Sequence, residues 1–307
     1  MARWALRAAV SAIVAAILFT IVPFRSVVGA IGRISIFTWV ASLVVFFAGH
    51  YLNAIKLRLL LGSTAAPLSS CVQAQYAGLV ANLGLPGLAG GDLVRAAYLV
   101  PTAGAKRVAA ASVADRVIDT VTLLVLVAVA LPLAGVPQAL ADILPSVQWM
   151  LAVMTGAALV LAVLLVVVLK HPVLKIKVAS MALALRERRG DVLTAIVISL
   201  GVQSAFVLTN AWLASDVGVG TPVAAWFVAW PLSKLVAILP ISLGGIGVRE
   251  AALVSLLAPY GAPGDAVLAT GILWQTVLAV SGLAGLVATQ WFWRPGPTAR
   301  PATGSNA

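Results

Sequence analysis

The sequence predicts an all-α, polytopic helical membrane protein with about six spans and two opposed re-entrant hairpins, arranged as an inverted internal repeat. Three observations predict it. The 307 residues are 62% hydrophobic and only 9% charged, with a mean hydropathy of +1.09. Several apolar runs approach the ~20 residues needed to cross a bilayer. And one unusual phrase is written twice, as LPGLAGGDLVRAA at 85–97 and LPISLGGIGVREAA at 239–252.

Soluble domains carry about 25% charged residues. A soluble core of this size could not hide so much apolar surface, so lipid is the solvent that fits. The single cysteine, Cys71, excludes an internal disulfide. Two histidines, His50 and His171, are too few for a His-built zinc site, so no cofactor or metal is expected.

The spans are read in order at 4–24, 36–55, 117–133, 147–169, 192–213 and 266–292. The first follows Arg3 and Arg7 and could be a signal peptide cleaved after VVGA, but its apolar core exceeds the usual ~7–15 residues. The third is short, and its helix is expected to begin earlier, near Lys106.

Basic residues set the orientation. With the N-terminus in the cytoplasm, the inside set includes Arg3, Arg7, Lys56, Arg58, Lys106, Arg107, Arg188, Arg189 and Arg294, while the outside loops hold Arg25 and Arg33. Both termini are therefore expected in the cytoplasm, at the cell inner membrane. The net charge of +11 is explained by orientation and anionic headgroups. No basic and aromatic interleaving points to nucleic acid. The basic segment 170–190 reads as a helix on the inner membrane surface or as a solvated loop helix. The Pro/Gly/Ser-rich tail, 294–307, is expected to be disordered.

The repeat is ungapped. Pro86 aligns with Pro240, Gly90 and Gly91 with Gly244 and Gly245, and Arg95 with Arg249, at one constant offset of half the chain. Each half reads span, span, broken segment, span. The repeats are placed at 1–146 and 147–293, with hairpins at 67–100 and 222–260. Three crossings per half would insert the second half upside down, as in transporters whose broken helices mark a site near the midplane.

Irregular backbone at membrane depth is tolerated only where protein or a wet cavity covers it, so both breaks should face inward. The glycine pairs are read as turns, free to take positive φ and to allow close approach. The helix after each turn offers free N–H groups to an anion. Arg95 and Arg249 are read in the first turns of those helices, where the dipole alone would disfavour a cation and a guanidinium fork would suit phosphate. Alternatively Asp92 caps its helix and pairs with Arg95, with Glu250 acting similarly in the second copy. Asn82 and Ser242, beside the two breaks, and the deeper Lys234 join the candidate substrate-binding set.

Asp115, Arg116 and Asp119 open the third span, with both carboxylates on one face. They read as interfacial anchors or as a polar wall beside the first hairpin. Asp115 and Arg116 enter the candidate set on the second reading. Lys56 and Arg58 are expected to snorkel to headgroups. Gln203, Asn210 and Gln275 are read as interhelical glue, and Trp212, Trp291 and Trp293 as interface belts.

At NLGLPGLAGGDLVRA, DRVIDTVTLL and LPISLGGIGVREAAL the chain resembles the flippase-like integral membrane domain of lysylphosphatidylglycerol synthases, over about residues 5–293. The resemblance implies lipid translocation: aminoacylated phosphatidylglycerol in the fused enzymes, polyprenyl- or hopanoid-linked lipids elsewhere. No soluble aminoacyl-transferase domain lies within the 307 residues, so lysyl transfer is not expected of them.

The expected function is flipping of a phosphate-bearing lipid, without a Walker-type ATP site. The expected partners are that anionic or phosphate-bearing lipid and the membrane. Two rivals stand beside it: an intramembrane transferase using Asp92, Asp115 or Glu250 as base, and a non-transporting partner of a glycosyltransferase or lipid-modifying enzyme. No catalytic constellation is legible for the first.

Overall fold

A computed structural model describes residues 28–29, 31–84, 89–135, 188–238 and 247–292. The predicted spans at 4–24 and 147–169, nearly all of the basic segment and the tail lie outside these residues, as do Pro86, Pro240, Ser242, Gly244 and Gly245.

The described chain is helical: α1 (Ile36–Leu61), α2 (Leu68–Gly84), α3 (Ala89–Ala103), α4 (Ala105–Ala134), α5 (Arg189–Asp216), α6 (Val223–Ile238), α7 (Val248–Leu257) and α8 (Gly264–Phe292), with a 3-10 turn at Ala258–Tyr260. Four helices, α1, α4, α5 and α8, are long and apolar enough to cross a membrane. The protein is a polytopic helical membrane protein.

Local chemistry sets the helix ends. Ser35 caps α1, its Oγ accepting the Phe37 N–H at 3.2 Å. A single residue, Gly104, joins α3 to α4 with φ of 79°, a conformation that costs glycine little. The helix after it begins at Ala105, close to the start near Lys106 that the sequence suggests. Its outer face is a ridge of exposed Val113, Val117, Val121, Val125, Val129 and Leu133, every fourth residue. Only lipid or another apolar surface can cover such a ridge.

The principal helix contacts come in pairs. Exchange α1 with α5, α2 with α6, α3 with α7 and α4 with α8. The α2–α3 contact becomes α6–α7, and α4–α6 becomes α8–α2. Likewise α4–α5 becomes α8–α1, α3–α4 becomes α7–α8, and α1–α5 maps onto itself. Of the elements exchanged, α3 and α7 carry the described parts of the two copies of the repeated phrase.

At the α1–α5 crossing, Gly49 leaves room for the Phe206 ring, which a Cβ there would strike at 2.5 Å. Small residues admit such close approach between helices in lipid. Phe206 stacks on Phe46 at 5.2 Å, and Trp274 stands edge-on to Phe46 and Trp230 at 5.1 Å each. These rings, from α1, α5, α6 and α8, form an aromatic centre.

Candidate functional site

Above that centre lies a cavity of about 170 Å³. All eight helices line it, through residues such as Phe46, Gln75, Asp92, Asp115, Gln203, Trp230, Arg249 and Trp274. Its lining combines aromatic rings with ionisable groups.

The first group of charges is a continuous network. Lys56 Nζ lies 2.9 Å from Asp115 Oδ1 and 2.6 Å from Asp119 Oδ1. Ser199 Oγ, from α5, also donates to Asp119 at 2.6 Å. Arg95 reaches Asp115 Oδ2 at 3.0 Å and Asp92 Oδ1 at 3.2 Å. Arg116 closes the chain on Asp92 at 2.5 Å. Lys56, Arg95 and Asp115 are buried, while Arg116 sits at the exposed rim.

The second group is smaller. Arg249 pairs with Glu250 and lies over the Trp230 ring, 5.3 Å from its centroid. Glu250 Oε2 accepts the Gly247 N–H at 2.7 Å, tying the start of α7 to the same carboxylate. Lys234 stands apart: its Nζ donates to Gln203 Oε1 at 2.9 Å, and no carboxylate among the described residues pairs with it.

Several expectations need correction. Lys56 does not snorkel. Helix α1 runs on to Leu61, more than a turn further, and carries Lys56 inward to Asp115 and Asp119. Asp115 and Asp119 are the polar wall rather than interfacial anchors, because two buried cations compensate them. Gly90 and Gly91 are not turn residues but belong to α3, and neither has positive φ. Gly91 matters for close approach instead: a Cβ there would collide with the Gly78 carbonyl and the Asn82 side chain. Arg95 consequently lies in the second turn of α3, beyond the helix end, whereas Arg249 is in the first turn of α7. Asn210 bonds its own helix, at Phe206 O, rather than a neighbour.

Other expectations match the contacts. Asp92 pairs with Arg95, and Gln203 and Lys234 join α5 to α6. Asn82 Oδ1 accepts the Gly91 N–H at 2.8 Å and so fastens the two arms of the first hairpin. Both ends of this contact are among the candidate residues.

Gln75 and Trp230 had not been singled out. Gln75 connects His50, 3.0 Å away, to Arg95, 3.4 Å away. The two glutamines of α2, Gln73 and Gln75, set among apolar residues, are the signal that could have found it. Trp230 gives none, since a tryptophan in an apolar helix has many ordinary roles.

The family model described as the lysylphosphatidylglycerol synthase TM region matches residues 4–285. The chain belongs to the lysylphosphatidylglycerol synthase TM-region family. The match spans every residue that lines the cavity, so the site lies wholly inside the part shared with the family. Membership in the lysylphosphatidylglycerol synthase TM-region family indicates a membrane lipid-related function. No curated protein matches the chain as a relative.

Proposed function

We propose that the protein translocates a phosphate-bearing lipid, or a lipid-linked intermediate, across the inner membrane. The observation that carries this reading is the cavity: five cationic side chains converge on it from α1, α3, α4, α6 and α7, amid helices long enough to span. Ionisable groups at membrane depth are costly and are kept where they serve a polar path or guest.

In this reading the headgroup enters the cavity while the acyl or prenyl tails stay in the bilayer. Arg95, Arg249 and Lys234 bind the phosphate, and Arg116 meets it at the rim. Asp92, Asp115 and Glu250 hold the arginines until the anion arrives. Asn82 pins the first hairpin, Gly91 beside Gly90 keeps side-chain bulk out of the contact between α2 and α3, and Ser242, Gly244 and Gly245 are assigned to the same phosphate site from the repeated phrase. The hairpins are re-entrant and the halves, 1–146 and 147–293, are inverted. An exchange of conformation between them would move the opening from one leaflet to the other.

The test is reconstitution in liposomes with a fluorescent phospholipid, scored by how fast the inner-leaflet probe becomes accessible to a membrane-impermeant quencher. Protein-dependent exchange is the expected result. Well-folded protein with no exchange would sink the reading. Turnover of a lipid donor by the same preparation would point instead to an intramembrane transferase.

A further inference from the structure

Among the described residues that line the cavity, buried side-chain donors without a hydrogen-bond partner outnumber such acceptors. Arg95 Nε, Arg249 Nε, Trp230 Nε1 and Gln275 Nε2 are sealed from solvent without a hydrogen-bond partner, and all four residues line the cavity. An unsatisfied buried donor costs about 1–3 kcal/mol, so four around one space ask for an acceptor. The acceptors left over are different. Asp115 Oδ1 faces Lys56 Nζ at 2.9 Å, and Asn210 does not line the cavity.

The charges point the same way. Four of the five cations pair with four carboxylates, and Lys234 has only an amide. Among the described residues the site therefore carries one cation without a carboxylate and four buried donors without an acceptor.

We infer that the cavity is built for one singly charged phosphodiester, carried on a lipid whose headgroup adds no cation. This deepens the translocation reading and rests on it for the access of lipid to the cavity. A phosphodiester supplies one charge and two free oxygens to accept from the unpaired N–H groups. An amine-bearing headgroup is a poor guest, because each carboxylate in the site already holds a cation and the remaining groups are donors. A pyrophosphate is a poor guest for the opposite reason, since its further charge meets no free cation.

The experiment is native mass spectrometry of the full chain, delipidated in detergent. It is offered equimolar dioleoyl-phosphatidylglycerol, dioleoyl-phosphatidylcholine, lysyl-phosphatidylglycerol and a polyprenyl pyrophosphate. Phosphatidylglycerol should be retained at least about tenfold over each of the others. Lys234→Gln should bring that preference to within about twofold. Gln203→Glu should do the same by giving Lys234 a carboxylate, and it adds an ion pair where Lys234→Gln removes a contact, so it serves if the first variant does not fold. Arg107→Gln, an exposed charge removed outside the cavity, should leave the preference unchanged.

Equal or tighter binding of lysyl-phosphatidylglycerol would overturn the inference, as would an undiminished preference in both cavity variants. Soluble glycerophosphoglycerol should compete only in large excess. Competition as strong as the lipid's would make the guest a free phosphodiester and overturn the lipid assignment. The two readings fail separately. Selective binding without exchange in liposomes would remove translocation and leave this site, whereas exchange of lysyl-phosphatidylglycerol at the same rate would do the reverse.

Discussion

Lys56 Nζ and Asp115 Oδ1 lie 2.9 Å apart, with side chains only 1% and 2% exposed. Asp115 also carries Arg95, so one carboxylate compensates two buried cations on different helices. Removing a partner from a buried pair strands the other charge, at about 3–5 kcal/mol. Asp115→Asn should therefore destabilise the protein by about that much, read as a lower unfolding midpoint in detergent. Lys56→Met should also destabilise, and the double variant should lose less than the sum of the two. A loss below about 1 kcal/mol for Asp115→Asn would mean that the network is wet.

Gly91→Ala should loosen the first hairpin by about 1–3 kcal/mol, because the new methyl meets the Gly78 carbonyl and Asn82. Gly78→Ala should act alike, its Cβ falling 2.8 Å from the Gly91 carbonyl. Gly201→Ala, on α5 with nothing within 4 Å, should be neutral or stabilise by up to about 1 kcal/mol. Thermal unfolding of the three variants checks the contrast. Equal effects would mean that the hairpin has no special fit.

Arg95→Gln and Arg249→Gln should each slow lipid exchange, and their effects should couple rather than add, since both act on one phosphate. Lysine should rescue only in part. At Arg249 it would keep the charge but lose the guanidinium that pairs with Glu250 and lies over the Trp230 ring. Exchange rates in liposomes, with folding checked by size exclusion, provide the measurement. If either arginine proves dispensable in folded protein, the shared-phosphate reading is wrong.

A reporter fused after Ala307 should be cytoplasmic, and one inserted near Gln138 should lie on the opposite side, as the Lys/Arg asymmetry predicts. Both reporters on one face would rule out the inverted arrangement.

Membrane class and helix order were legible because apolar length is a coarse, additive property of the chain. The repeated phrase likewise led to Arg95, Asp92, Asn82 and Arg249, which meet at the cavity. Lys56 was misread because a lysine near the end of an apolar run looks the same whether the helix stops there or continues to Leu61. Gly91 was read both for torsional freedom and for close approach, and the second is its use: it brings two backbones together. That use depends on Gly78, thirteen residues earlier, and no local pattern reports it. Gln75 and Trp230 acquire their roles only from the arginines that tertiary packing sets against them.

The ion-pair network bears on how the chain is made. Lys56, Arg95 and Arg116 and their partners Asp92, Asp115 and Asp119 all lie within α1–α4. A charge entering hydrocarbon alone costs about 2.5–3.5 kcal/mol on insertion scales. These six can neutralise one another before α5 leaves the ribosome. Of the later cations that line the cavity, Lys234 on α6 arrives without a countercharge and is met by Gln203 of the preceding long helix, and α7 then brings Arg249 with its own neighbour, Glu250. Synthesis order and electrical balance thus coincide: the ion-pair network of the early helices can enter the bilayer with its charges matched, and the unmatched Lys234 follows only once α5 has supplied Gln203 to receive it.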